Sequence, residues 1–310
     1  MASSILLLLF VLWVFAAGGA VGSFLNVVVY RVPLGLSLVH PGSHCPKCKH
    51  PIRPRDNIPI FGWLLVGGRC RDCRESISWR YPLVEFVVAV MFLAIGWSEW
   101  LAPVGTAPMR PTPSAGVAAA SAELPFAEAG LMAGFHLVLL CTLLAAALVE
   151  FDGHCIPWRL TLPAIAVGSL APLVWSQLRP VPACGGFDGV SAGLIDGVAG
   201  AAMGTCLGAI AWLWIGPRRS RLMLLGPTLA GLFLGWQMAA VAAPVVALVH
   251  AALRYSAASS DRGVDRASPG LLWLAAAVAW ILCWNPIVHL WPLLGDVFPA
   301  AVAVSFGTHS

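Results

Sequence analysis

Long runs of apolar residues, broken by short polar or charged stretches, dominate the chain. Runs of roughly 17–25 apolar residues are long enough to cross a bilayer as helices. About eight meet that criterion, near residues 5–30, 82–101, 130–149, 160–176, 190–215, 222–237, 238–254 and 270–304, the last open to a break. The stretch 222–254 reads either as one long hydrophobic hairpin or as two tightly joined spans, with Gly235-Trp236-Gln237 as the expected turn. The expected fold class is an all-α polytopic membrane protein.

Composition agrees with the pattern. Of 310 residues, 59% are hydrophobic and 10% charged, with a mean hydropathy of +0.84, where a soluble domain carries about 25% charged residues. A water-soluble core of this size could not hide so much apolar surface, so the lipid bilayer is the expected solvent. A cleaved signal peptide would need a positively charged start, and no Lys or Arg precedes Arg31. The first helix is therefore expected to be retained, with the amino terminus facing away from the cytoplasm.

Charge placement orients the remainder. Nine of the 18 Lys and Arg residues lie between Arg31 and Arg80, and so basic a loop stays in the cytoplasm under the positive-inside rule. Counting spans from it, Arg218-Arg219-Ser220-Arg221 and the stretch Arg254 to Arg266 fall on the same side. The net charge of +4 reports topology and gives no reason to invoke nucleic acid. Residues 102–128, rich in Pro, Ala and Ser, read as a flexible periplasmic linker.

Four of the nine cysteines stand out by spacing: Cys45-Pro-Lys-Cys48 and Cys70-Arg-Asp-Cys73, separated by 21 residues. Each pair offers two thiolates to one metal, and two pairs complete a tetrahedral sulfur site for Zn2+. Two disulfides would need an oxidising compartment, which a cytoplasmic loop does not offer. A closed four-sulfur shell leaves no position for water, so the zinc is expected to be structural and to supply much of the loop's folding energy. His44 and His50 are surplus to such a site, and Cys141, Cys155, Cys184, Cys206 and Cys283 are read as packing thiols or scattered loop residues. The expected organisation is a first transmembrane helix (1–30), a cytoplasmic zinc-binding insertion (31–80), a second transmembrane helix (81–101), the linker (102–128) and a helical membrane domain (129–310).

The residues around the cysteines carry a further pattern. Gly22-Ser-Phe-Leu-Asn26-Val-Val-Val-Tyr30-Arg31-Val-Pro33 closes the first helix; Asp56-Asn57-Ile58-Pro59-Ile60 follows the first knuckle. Gly68-Arg69-Cys70-Arg71-Asp72-Cys73 then leads into Ser76-Ile77-Ser78-Trp79-Arg80-Tyr81-Pro82-Leu83-Val84-Glu85. In order and spacing this resembles the amino-terminal part of bacterial type IV prepilin leader peptidases. The resemblance implies an inner-membrane enzyme of type IV pilus or type II secretion biology with eight transmembrane helices. It would cleave the leaders of prepilins or pseudopilins with two membrane-embedded aspartates, then methylate the new terminus with S-adenosylmethionine. No glycine-rich loop for that cofactor is identified in the chain.

Hydrolysis of this kind needs one group to take a proton from water and another to polarise the carbonyl, work that two close carboxylates share. Of 14 acidic residues, Glu85, Glu150, Asp152 and Asp196 are read as lying in or beside apolar spans, where a carboxylate is a functional candidate by default. Ala147-Leu-Val-Glu150-Phe-Asp152-Gly-His-Cys-Ile156-Pro157 resembles the family's first active-site segment. Aligning its apolar-Pro pair puts Glu150 at the first catalytic aspartate and Asp152 at a second acidic position. The family's Gly-x-Gly-Asp segment corresponds to Arg218–Pro227, where Met223 takes the place of the second aspartate. Asp196 reads as a helix-start or packing residue, and Asp261 and Asp265 as solvated loop residues. Residues two apart on a helix do not share a face, so Glu150 and Asp152 could pair only if the helix ends at that point, which Gly153 permits.

Two functions are compatible with these residues. One is a prepilin-processing membrane protein with an incomplete acid pair. The other is a non-proteolytic relative that binds prepilins as an assembly factor or retains only methyl transfer. A transporter or channel would line its path with polar residues from several spans, and few are present.

Overall fold

A computed structural model of the protein describes residues 2–101, 126–175, 178–179, 189–215, 220–258 and 268–283. Most of the linker expected over 102–128, the arginines at 218 and 219, the loop residues 259–267, Cys184 and the end of the 270–304 stretch lie outside the described residues. Among those described the regular structure is helical: α1 (Ala2–Arg31), the short α2 (Phe61–Leu65), α3 (Arg80–Gly96), α4 (Phe126–Phe151), α5 (Trp158–Val174), α6 (Gly189–Ile215), α7 (Leu222–Leu234), α8 (Trp236–Ala258) and α9 (Pro269–Leu282). A 3₁₀ turn covers Pro54–Asn57, and a π-type turn, Trp97–Leu101, extends α3.

Eight of these helices sit where the apolar runs predict them. Five are long and apolar enough to cross a membrane, on Ser4–Arg31, Arg80–Trp100, Glu128–Phe151, Gly189–Trp214 and Trp236–Leu253. The runs near 160, 222 and 270 form helices of 17, 13 and 14 residues, short of the roughly 20 residues that span a hydrocarbon core. The chain is thus a multi-pass membrane protein of mixed helix length. The open question at 222–254 resolves into two helices: Gly235, at φ 91°, ends α7, and α8 turns back so that Ala247 and Met223 share one apolar cluster with Ala211.

The chain divides into two units, Met1–Trp97 and Ser98–Ser310. In the first, α1 and α3 run antiparallel in close contact. A Cβ at Gly18 would come within 2.7 Å of the Ala89 Cα, and one at Gly22 within 2.7 Å of the Glu85 Cα. Small residues four apart let helix backbones approach where lipid provides no hydrophobic drive for association. One turn further along, Asn26 Nδ2 donates to the Tyr81 carbonyl at 3.1 Å. Only 22% of the α1 span is buried, leaving Ile5 to Leu9, Leu12 and Trp13 exposed to lipid.

In the second unit α4 is central, with 67% of its span buried. Packed against it are α5, α7 and α9. The tightest crossing is α6 on α7: a side chain at Gly200 would strike the Gly231 carbonyl and one at Gly204 the Pro227 carbonyl. Most of α7 is buried, from Leu222 and Met223 through Leu234.

Candidate functional site

The two CxxC segments fold into matching knuckles. In the first, Cys45 N–H donates to the His50 carbonyl at 3.0 Å and Lys49 N–H to the Cys45 carbonyl at 2.9 Å. In the second, Cys70 N–H donates to the Glu75 carbonyl at 2.8 Å and Arg74 N–H to the Cys70 carbonyl at 2.9 Å. Lys49 and Arg74 both take positive φ, 60° and 61°, which turns each loop tightly enough for both cysteines to face inward. Single antiparallel bridges, His44 to Pro51 and Arg69 to Ser76, close each knuckle at its base.

The four ligand sulfurs lie within 4.8 Å of one another, with Cys45–Cys73 at 3.7 Å and Cys48–Cys70 at 3.9 Å. A regular ZnS₄ tetrahedron built on Zn–S bonds of about 2.3 Å has edges of about 3.8 Å, so the residues fit zinc. All four are free thiols, much further apart than the ~2.05 Å of a disulfide. Backbone N–H groups of Cys48 and Lys47 bring the Cys45 thiol down to about 6. For Cys48 the His50 N–H acts in the same direction, but burial and the neighbouring thiols push it up to about 12. Crowded thiols cannot all ionise side by side, and a divalent cation removes that conflict.

Ionic contacts stiffen the module. The Arg71 guanidinium donates to both Asp56 oxygens, at 2.8 and 2.6 Å, and holds that carboxyl below its usual range. Arg53 reaches Asp72 at 3.2 Å. The Trp63 indole donates to the Ile77 carbonyl at 3.0 Å and packs on Gly68. Buried Glu85 accepts the Ile60 N–H at 2.6 Å.

The second candidate site is in the membrane unit, where the end of α4 meets the start of α7. A left-handed cap ends α4: Gly153, at φ 78°, donates to the Glu150 carbonyl at 2.9 Å, and His154 donates to Val149 at 3.1 Å. The helix therefore does stop between the two candidate acids, and it separates their environments. Glu150, half-buried, accepts the Ser220 hydroxyl on Oε1 at 2.5 Å, while its Oε2 is buried without a hydrogen-bond partner. Asp152 is exposed at the cap. Ser220 Oγ also accepts the Leu222 N–H at 3.1 Å, so Glu150 is tied to the first turn of α7. Met223, three residues beyond Ser220, is buried in apolar company with Ala211, Ala247 and Trp212.

Three polar groups escaped the sequence reading. Ser220 is one. The second is Glu99, which belongs with the intramembrane acids: it is buried and accepts from His136 Nδ1 at 2.8 Å, with both side chains fully enclosed. The third is Arg179, 1% exposed, which donates to the carbonyls of Leu232, Gly193 and Gly168 at 2.8, 2.5 and 2.7 Å. Asp196 is buried in α6 next to Gly197, where a Cβ would come within 2.8 Å of that guanidinium. A signal existed for Arg179, since a lone arginine among apolar spans must find acceptors; its partners are main-chain carbonyls that no side-chain pattern reveals.

Residues 16–99 match the Bacterial Peptidase A24 N-terminal domain. The chain is 35% identical over 164 residues to a Prepilin leader peptidase/N-methyltransferase of Myxococcus xanthus, covering 52% of this chain and 39% of that protein. It is 34% identical over 196 residues to the Type 4 prepilin-like proteins leader peptide-processing enzyme of Escherichia coli, covering 57% and 62%. A Prepilin leader peptidase/N-methyltransferase of Klebsiella pneumoniae is 36% identical over 164 residues, covering 51% and 60%. The chain thus spans less than two thirds of the length of each. No solved structure matches it. The chain is thus similar to the bacterial peptidase A24 N-terminal domain over residues 16–99, and to prepilin leader peptidases over about half of its own length.

Proposed function

We propose that this chain is a prepilin-processing protein of type IV pilus or type II secretion biology, acting on the leaders of prepilins or pseudopilins. It would work in the bacterial inner membrane with its zinc module in the cytoplasm. The observation that carries this reading is the Glu150–Ser220 contact. It joins the two segments that resemble the family's paired active-site segments, at one end of α4 and of α7. Orientation rests on the basic stretch between Arg31 and Arg80.

Glu150 is the retained carboxylate. Its engaged oxygen is oriented by Ser220, and its second oxygen is buried without a hydrogen-bond partner; as the base it would take a proton from a water admitted with the substrate. Asp152, on the same helix end, is the acid this reading offers in place of the family's second aspartate. Cys45, Cys48, Cys70 and Cys73 would hold the structural Zn2+, and S-adenosylmethionine would be the methyl donor, as in the N-methyltransferases the chain resembles.

Met223 favours the second reading, a relative that binds prepilins or methylates them without cutting. A thioether cannot polarise a carbonyl as a carboxylic acid does, and Met223 is packed with Ala211, Ala247 and Trp212. Both readings are tested by incubating full-length protein in lipid vesicles with a prepilin and following leader loss by mass. Slow cleavage abolished by Glu150→Gln supports the peptidase, and loss on Asp152→Asn as well assigns that residue the second role. Leader binding without cleavage selects the non-proteolytic reading.

A further inference from the structure

The zinc-bearing insertion contains an apolar run that its composition does not explain. Ile58-Pro-Ile-Phe-Gly-Trp-Leu-Leu-Val66 has no charge, although basic residues flank it on both sides. In the structure Ile58, Phe61, Leu64 and Leu65 are 46%, 56%, 59% and 68% exposed. Four large apolar side chains facing outward from one short segment are a liability in water.

Contacts with the helices set the depth of this segment. The α1–α3 pair is in register with Gly22 against Glu85 and Gly18 against Ala89, so Arg80, the first residue of α3, stands near the level of Val27. Pro59 does not lie at that level. A Cβ at Gly19 would meet the Pro59 Cβ at 3.3 Å, about eight residues or roughly 12 Å further along the helix axis at 1.5 Å per residue. Ile60 N–H reaches Glu85, one and a half turns inside α3. The exposed aromatics Tyr30, Trp79 and Tyr81 mark the level expected of the lipid headgroups. The tip of the segment is below them.

We propose that residues 56–65 form a re-entrant segment that dips into the bilayer from the zinc-module side, with Ile58, Phe61, Leu64 and Leu65 in contact with acyl chains. Non-helical backbone survives at membrane depth only if its polar groups are satisfied. At the tip this holds. Pro59 has no N–H; the Ile60 N–H goes to Glu85; Phe61 N–H donates to the Pro59 carbonyl at 2.7 Å and Gly62 N–H to Ile58 at 2.7 Å. The turn is so tight that Ile60, a β-branched residue, is held at φ 65°, and that amide is the one Glu85 captures. Glu85 is thereby given a purpose distinct from catalysis: it is a carboxylate placed inside a span to accept the one main-chain donor that the turn leaves over. From within the segment the Trp63 indole reaches back toward the headgroup side and donates to the Ile77 carbonyl. On α3, Leu83 and Phe86 are likewise exposed.

Spin-label depth measurements on the full-length protein in liposomes test this. Nitroxides are introduced through a genetically encoded ketone side chain, which spares the native cysteines, at positions 61, 65, 52 and 86 in separate preparations. Accessibility to oxygen is compared with accessibility to a water-soluble nickel chelate. Labels at 61 and 65 are expected to favour oxygen several-fold more than the label at 52 and to match the one at 86. In the 61-labelled protein, Glu85→Leu is expected to bring the ratio toward that of position 52, while Glu85→Gln, whose amide oxygen still accepts, keeps it. Nickel access at 61 and 65 equal to that at 52 overturns the proposal, as does exclusion of both reagents, which would mean a protein surface covers the segment. An unchanged ratio in Glu85→Leu overturns the role given to Glu85.

Discussion

Glu150 has two oxygens in different circumstances, one bonded to Ser220 and one buried without a partner. Ser220→Ala would leave the whole carboxylate without its hydroxyl donor. The expected cost is about 1–3 kcal/mol, read as a lower unfolding midpoint in detergent, and it should vanish in the background of Glu150→Leu because the two changes share one interaction. Arg179 is a larger case. Its guanidinium satisfies carbonyls from α5, α6 and α7 together, so Arg179→Met orphans three acceptors. Destabilisation of about 3 kcal/mol or more is expected, measured the same way, with little change for Arg159→Met, whose side chain lies at the exposed start of α5. Glu150 was legible in the sequence because an acid beside an apolar helix is conspicuous. Ser220 was not, since serine is unremarkable in a loop and its contact spans 70 positions of chain.

At the scale of elements, the zinc module was the most legible part of the molecule. Two CxxC pairs state their ligands, and local hydrogen bonds are enough to shape each knuckle. Cys70→Ser is expected to abolish bound zinc, measured by elemental analysis of the purified protein, and to open residues 31–79 to limited proteolysis while α4 to α9 remain resistant. Retention of a full complement of zinc would contradict the four-sulfur site. The length of the helices was less legible. Hydropathy located α5, α7 and α9, but their ends depend on Pro157, Gly235 and Ser268, local breaks that an averaged apolar signal passes over. The α6–α7 crossing also depends on glycine. Gly200→Leu would drive a side chain into the Gly231 carbonyl and is expected to prevent folding, seen as loss of the monodisperse species in detergent. Gly153→Ala has open space around it and only its positive φ to oppose it, so a cost of about 1 kcal/mol is expected.

For the molecule as a whole, the match to the A24 N-terminal domain, over residues 16–99, falls almost wholly in the first unit, and the candidate acids Glu150 and Asp152 belong to the second. Helix placement followed from apolar runs because lipid imposes one simple rule along the chain. The junction of α4 with α7 did not, because it depends on how buried helices pack. If that junction is the peptidase site, Met223 stands where the resemblance puts the second aspartate, and Asp152, exposed at the cap, is left as the other acid. The most direct measurement is therefore prepilin cleavage by Met223→Asp, compared with wild type and with the double variant carrying Glu150→Gln, each in liposomes with zinc content and monodispersity checked. A positioned acid contributes roughly 10²–10⁴-fold to such a reaction. A gain of about 10²-fold or more is expected in Met223→Asp, lost again when Glu150 is changed. A correctly folded, zinc-loaded Met223→Asp protein that cuts no faster than wild type would contradict it.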